Sequence, residues 1–492
     1  MLAGDRAQYP RRLASTQQQL RPAGAQLLVQ VADSGAEKLV PGRAGGGALQ
    51  DAGVEQAIPD NAAMQPGYAR YVLGVMVGIN FLNYLDRYIL PVVASKIQDE
   101  FHLSDTAIGG LGTAFLLVYA VSALPFGLWA DRGVRRTVVG VGVTIWSLAT
   151  LFTGLARNYA QLFAARAVLG IGEAGYYPAG TSLLGDYFPR SQRGRAMSIW
   201  GAGTAIGIAV GFAGGGIVAG RFGWRAAFYL TAIPGLVFAL LAFRLREPLR
   251  GAAEERGPAT GPATRVGIRR FGELLGIRSL RATIAAETLL FFVLGGAAFW
   301  LPEYLHRRFG LGTAGAGTLA GGVLVLGGLV GTLSGGILAD WWSRRRGLTA
   351  NLPIGAVGFL LGALFVSLAL LAPGLTSFVP LFLLGVISLY LYSGPYTAIK
   401  QNVVVPTFRA SAVTLSLLIE HLLGDSYSPI AIGRLSDAVH SLQLALLVLL
   451  PPLLVLAALA AFTGMRAEAA DGMAMEERWA GSGSQLGGPV AV

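Results

Sequence analysis

The chain has 492 residues, 53% of them hydrophobic and only 13% charged, where soluble domains carry roughly 25% charged residues. That deficit excludes a large soluble core, and the net charge of +11 fits basic loops on the cytoplasmic side of a membrane rather than nucleic-acid binding. There is no cysteine, which excludes disulfides, thiolate metal sites and cysteine catalysis.

Residues 1–68 are rich in Gly, Ala and Gln without helical periodicity and read as a disordered tail. No apolar core of signal-peptide type follows their arginines. Met64, just ahead of the first apolar run, is an alternative translation start. Apolar runs long enough to cross a bilayer then follow near 71–94, 107–130, 137–156, 160–184, 196–219 and 225–244. After a polar break come 281–302, 315–339, 348–371, 376–404, 411–434 and 441–464. The expected fold is therefore an all-α membrane protein with twelve transmembrane helices in two six-helix pseudo-symmetric bundles. The bundles occupy 69–245 and 281–465. Residues 246–280 form a cytoplasmic linker with a short surface helix at 266–276, and 466–492 form a disordered tail. Arginines concentrate in one set of loops, at Arg132, Arg135, Arg136, Arg193, Arg195, Arg344 and Arg345 and through the linker. That set should be cytoplasmic, which places both termini inside the cell. The expected location is a multi-pass position in a bacterial inner membrane.

In the first span, Asp86 and Arg87 stand side by side within Asn83-Tyr84-Leu85-Asp86-Arg87. Charges in hydrocarbon are costly and usually face a polar cavity. The fourth span carries Arg166 and Glu173, about 10.5 Å of helical rise apart and on one face. The first span runs outward and the fourth inward, so Asp86 and Arg87 fall in depth between Arg166 and Glu173, and opposite charges can pair across the two spans. Burial raises a carboxylate pKa and an adjacent arginine lowers it. A cavity that opens to alternate sides can thus load and release a proton, and the arginine fork can hold a phosphate or carboxylate. The bland alternative is a static brace that orients helices.

The segment Gly127-Leu128-Trp129-Ala130-Asp131-Arg132-Gly133-Val134-Arg135-Arg136 ends the second span. A copy with Gly336, Asp340, Arg344 and Arg345 ends the eighth, at an offset of 209 positions. Its expected role is a latch. Gly127 permits close helix contact, Asp131 and Asp340 meet helix N-termini, and Arg132, Arg135 and Arg136 bind carboxylates or lipid headgroups. Asp186 and Arg193, at the inner end of span four, are candidate partners. Span five spaces Gly203, Gly207, Gly211 and Gly215 by four, which lines small residues on one face for tight packing. Span eleven holds Glu420, His421 and Asp425 with a Gly/Pro break, a pattern suited to a locally unwound helix beside a cavity. Tyr84, Tyr176, Glu420, His421 and Asp425 are candidate cavity residues. Glu287 and Lys400, near the cytoplasmic ends of spans seven and ten, can snorkel or pair. No phosphate loop of the form G-x-x-x-x-G-K-[ST], His/Glu metal motif or nucleophile elbow appears, so no cofactor, metal or enzymatic activity is expected.

The repeated loop, Arg166-x-x-x-Gly170-x-Gly172-Glu173 and Asp186-Tyr187-Phe188-Pro189-x-x-x-Arg193-Gly194 together resemble the major facilitator superfamily over about residues 68–465. Within it, Asn83 to Arg87, Ala298-Phe299-Trp300-Leu301-Pro302 and His421-x-x-Gly424-Asp425-x-x-Ser428-Pro429 with Gly433 and Ser436-Asp437 resemble the spinster-like transporters. The resemblance implies alternating inward-open and outward-open states and export of lysolipids or sphingoid phosphates. It also implies proton coupling through Asp86 and Glu173, with Arg87 and Arg166 as partners. The expected partners are a small-molecule or lipid-like substrate, protons and the bilayer, with no nucleic acid, and the expected state is a monomer. The alternatives are a proton symporter of sugar acids or other carboxylates, and a non-transporting receptor on the same fold.

Overall fold

The structure, a computed structural model, describes residues 65–253, 268–346, 351–405 and 408–486. The expected N-terminal tail, the alternative start at Met64 and the middle of the linker lie outside the described residues. The described helices are α1 (Pro66–Phe101), α2 (Asp105–Arg132), α3 (Arg135–Leu155), α4 (Tyr159–Ala174), α5 (Tyr176–Tyr187), α6 (Arg190–Phe222), α7 (Trp224–Phe243) and the short α8 (Ile268–Gly276). They continue with α9 (Arg278–Phe309), α10 (Thr313–Arg346), α11 (Asn351–Leu370), α12 (Leu375–Tyr390), α13 (Ser393–Asn402), α14 (Arg409–Ile419), α15 (Ser428–Val439) and α16 (Leu442–Leu486). Nine spans among the described residues are long, apolar and continuous enough to cross a bilayer by length and composition. Three more complete the expected twelve. One is α1, which carries the Asp86–Arg87 pair. Another is span four, broken at Gly175 into α4 and α5. The last is span eleven, where a π turn (Glu420–Gly424) and a 3-10 turn (Asp425–Tyr427) separate α14 from α15.

Span eleven therefore changes pitch rather than unwinding, and its backbone hydrogen bonding persists through the change. Such π turns are found frequently at functional sites.

The spacing of small residues along α6 has the packing consequence expected of it. A Cβ built on Gly207 would stand 2.5 Å from the carbonyl oxygen of Phe81, and one on Gly211 2.6 Å from that of Leu85. Only glycine lets the α6 backbone lie this close to α1.

The two halves meet at one end. One apolar core joins Leu90, Val93, Ile97, Ile108 and Phe212 of the first half to Trp300, Leu301, Ala316 and Ile432 of the second. A second core, from Ala69 and Met76 to Ala242 and Leu245, stays within the first half at the arginine-rich end. There α5 packs mainly on α1 to α4 and α6, and α13 and α14 pack mainly on elements of the second half. Val121, Leu124 and Leu128 of α2 and Leu333 and Ile337 of α10 are left exposed. Among the described residues, the halves are thus apart at the arginine-rich end and closed at the other.

The expected disordered tail from 466 is helical as far as Leu486. The reason is visible in two carboxylates. Glu468 accepts from Asn351 Nδ2 (3.0 Å) and the Leu352 backbone N–H (3.3 Å). Asp471 accepts from the Ser279 backbone N–H (2.8 Å) and hydroxyl (2.7 Å). Both sit at helix N-termini, of α11 and α9, where negative charge is favoured.

Candidate functional site

Asp86 and Arg87 are consecutive on α1 and so point in different directions around the helix. Asp86 turns into the first half, 2% exposed, and accepts from Thr150 Oγ1 of α3 at 2.6 Å and more distantly from Thr231 Oγ1 of α7 at 3.4 Å. Arg87 turns toward span four, where its Nε donates to Glu173 Oε2 at 2.6 Å. Tyr84, Phe115 and Tyr119 surround the guanidinium, with ring centroids at 5.3, 5.2 and 4.7 Å. The cross-span pairing of opposite charge is therefore Arg87 with Glu173.

Arg166 is buried as deeply as Asp86 but bonded less. Its guanidinium lies 5.1 Å from the Phe115 ring, with Asp86, Glu173 and Arg87 as its charged neighbours. Its Nε and Nη1 have no hydrogen-bond partner, and neither does Glu173 Oε1. A buried charged donor left unsatisfied is costly unless something fills the position. The four ionisable residues thus form one cluster whose inner polar atoms are incompletely used.

The second half reaches this cluster through aromatic rings. His421, on the π turn, stands edge-on to Tyr119 of α2 (6.0 Å) and Phe291 of α9 (5.5 Å). Its Nδ1 lies 2.8 Å from Asp425 Oδ2, and Asp425 Oδ1 has no partner. Tyr84 lies at the cluster. Tyr176 instead lies in the core of the first half, where its hydroxyl donates to the Met76 carbonyl (3.1 Å) and accepts from Trp200 Nε1 (2.6 Å). Glu420 faces away from the Arg87 cluster, into the second half, toward Lys400.

Among the described residues, the first copy of the repeated loop is bonded to its neighbours as expected of a latch. Arg135, fully buried, donates to Asp186, to Glu247 Oε1 at 2.7 Å and to the Pro248 carbonyl at 2.9 Å. Arg136 donates to the Leu245 carbonyl at 2.6 Å, and Arg193 to the Gly185 carbonyl at 2.7 Å. These bonds tie the inner ends of spans three, four and six. Asp131, Arg132 and Asp340 are exposed, and a Cβ on Gly127 would meet only open space. The close contact expected of Gly127 is absent because the halves are apart at this end. Glu247 escaped sequence reasoning, since it is one charge in a polar linker and only the fold brings it to Arg135.

The closed end has its own clamp. Arg307 of α9 holds Asp105 of α2 through both terminal guanidinium nitrogens (2.8 and 2.6 Å) and Glu303 through Nε (2.6 Å). Gln98 donates to Asp105 at 2.7 Å and Ser436 donates to it at 2.6 Å. Asp437 of α15 accepts from the backbone N–H groups of Asp105 (3.0 Å) and Thr106 (2.8 Å), at the N-terminus of α2. Ser436 and Asp437 stood out only as part of the family-like pattern, and their clamp with Asp105 and Arg307 was missed because these members lie at helix ends, where charge is ordinary. Apolar grooves between α10 and α12 and between α6 and α7 carry no charged lining residue and take no part in the site.

Residues 76–429 match the sequence pattern of the Major Facilitator Superfamily. Protein spinster homolog 1 of Xenopus tropicalis is 31% identical over 385 residues, covering 74% of this chain and 72% of that protein. A sphingosine-1-phosphate transporter of the same species is 29% identical over 400 residues, covering 78% of this chain and 76% of that protein. Among solved structures, a bacterial homolog of the human lysosomal transporter Spinster, in an inward-facing and occupied conformation, superposes with a TM-score of 0.70. It is 27% identical, and the match covers 83% of this chain and 97% of that one. A chain with these spans, this charged cluster and these relatives belongs to the major facilitator superfamily and is a spinster-like membrane transporter, not an enzyme.

Proposed function

We propose that the chain carries an anionic amphiphile of lysolipid type across the membrane, and that movement of a proton through the Asp86, Arg87, Arg166 and Glu173 cluster drives it. The observation that carries this reading is Arg166, a buried guanidinium with two unbonded donors beside the Phe115 ring. Such a group suits a phosphate or carboxylate headgroup, since the fork binds planar or tetrahedral oxyanions at two points. Phe115 beside it, Tyr119 over Arg87 and Phe291 beside His421 supply apolar surface for the rest of an amphiphile. The match to a sphingosine-1-phosphate transporter favours the same class.

Glu173 has one oxygen held by Arg87 and one free. An arriving anion competes for Arg87 and Arg166, weakens their hold on the carboxylates and makes protonation of Glu173 easier. Proton and substrate occupancy are linked in this way. The bodies 69–245 and 281–465 rock about the site, as in other transporters built from repeats. We place the arginine-rich end in the cytoplasm of a bacterial cell, by the charge bias of its loops, and the protein acts as a single chain in the inner membrane. The described form is then inward-facing.

The test is uptake into proteoliposomes with an imposed pH gradient, comparing a lysophospholipid with organic and sugar acids. Lysophospholipid flux that follows the gradient and is lost in Glu173→Gln, with the fold retained, is the expected result. Gradient-driven flux of acids alone would replace the substrate class. No flux of either would favour a receptor on this fold.

A further inference from the structure

The second half contains a charged cluster that the reading above does not use. Lys400 of α13 bridges two carboxylates, Glu287 Oε2 of α9 at 2.6 Å and Glu420 Oε1 at 3.1 Å. All three residues are buried, at 6%, 2% and 1% exposure. Ser416 donates to Glu420 and, at 3.4 Å, to Glu287. The other titratable neighbours are Tyr392 and Tyr396, with Glu468 beyond Tyr396. His421 faces the other way, to Asp425. No second cation joins the cluster among the described residues.

The charge count decides what this arrangement must do. One ammonium between two carboxylates leaves a net negative charge when all are ionised. An uncompensated charge in a dry interior is the most expensive state available, and a group so placed takes up a proton instead. Both carboxylates reach the one ammonium, so a proton taken up there belongs to the pair. We infer that Glu287, Lys400 and Glu420 form a second proton-carrying site, in which the two carboxylates hold one exchangeable proton between them.

Its position gives it a role. Arg87–Glu173 joins spans one and four, and Glu287–Lys400 joins the matching spans seven and ten with the signs exchanged. Glu420 adds span eleven at the first residue of the π turn, the same turn that presents His421 to Tyr119 of the first half. Loss of the proton makes Glu420 compete with Glu287 for Lys400. That pulls on the turn, and so on the contact of His421 with Tyr119 between the two halves.

The test needs no substrate, so its failure is separable from failure of the transport reading. Infrared difference spectra of the purified full chain, recorded against pH, report the C=O band of a protonated carboxyl. Glu287→Gln and Glu420→Gln are each expected to remove band intensity that Glu173→Gln leaves in place. Lys400→Met removes the ammonium, so both carboxyls stay protonated and the cluster's intensity should rise about twofold. If a glutamine variant fails to fold, Glu420→Asp keeps the carboxyl and must shift the band's frequency. Unchanged intensity in both glutamine variants, or loss in Glu173→Gln alone, overturns the second site. The latter leaves the Arg87–Glu173 site as the proton carrier.

Discussion

Arg166 is the most deeply buried charge with free donors among the described residues. Arg166→Lys keeps the charge but loses the fork. Hydrogen bonds to charged groups contribute about 1.5–3 kcal/mol each, so lysophospholipid affinity should fall roughly 10- to 100-fold on loss of one such contact, measured by equilibrium binding to the detergent-solubilised protein. Equal affinity in the variant would place the headgroup elsewhere. A second residue makes a different prediction. Thr150 supplies the shorter of the two hydroxyl contacts to Asp86, and its loss should leave that carboxylate underbonded. Thr150→Ala should therefore destabilise the fold by about 1–3 kcal/mol, read from thermal unfolding, and Asp86→Asn in the same background should recover part of the loss. The charged residues themselves were legible in the chain, since an ionisable group in an apolar run announces itself. Thr150 and Thr231 were not. A threonine in a transmembrane helix usually satisfies itself on its own backbone, as Thr153 does on the Ala149 carbonyl, and only the packing of α3 and α7 on α1 shows which hydroxyls meet a carboxylate.

Helices bring in a different kind of legibility. The glycine ladder of α6 was readable because a spacing of four has one meaning on a helix, a smooth face. Gly211→Val should therefore push α6 off α1 and lower the unfolding temperature by several degrees, whereas Gly220→Val, at a site with open space, should not. The π turn was beyond reading, because its pitch depends on what Glu420 and His421 find on neighbouring helices. The continuation of α16 to Leu486 was missed for a related reason. Composition resembled a tail, and the two carboxylates that fasten it act on helix starts far away in sequence. At the outer end of α1, beyond the apolar run, Arg225 donates to both oxygens of Glu100 at 2.7 Å and Trp224 Nε1 donates to one of them at 2.7 Å. The hydrogen bonds from Arg225 hold this carboxyl below the usual glutamate range. A depressed pKa contributes stability above the unfolded value, about 4.3, and loses it as pH falls through the folded value. Glu100→Gln should thus lower the unfolding temperature slightly at neutral pH, and the difference should vanish in acid. The pair is partly exposed, so a small effect is expected.

The whole molecule is a balance between two ends, and the clamp at the closed end can be loosened without touching the charged cluster. Asp105 receives Arg307, Gln98 and Ser436 and sits on the helix start that Asp437 caps, so it counts in nearly every polar contact between the halves there. Breaking it should favour the form in which that end opens and the arginine-rich end closes. The chain offers a clean way to see this, because it contains no cysteine and labels can be placed without removing any. Leu128 of α2 and Ile337 of α10 occupy matching positions in the two repeats and are both exposed, at 47% and 71%, at the end where the halves stand apart. Spin labels on Leu128→Cys and Ile337→Cys should report one long distance in the otherwise unaltered chain. Adding Asp105→Asn or Arg307→Ala should populate a shorter distance, as the labelled ends approach. A change of a few kcal/mol in the clamp moves a two-state equilibrium by one to two orders of magnitude, enough for a minor form to become visible. Distances unchanged in both clamp variants would mean that the apolar core at the closed end, from Leu90 to Trp300, fixes the conformation by itself. The polar network would then only orient a contact that burial already secures.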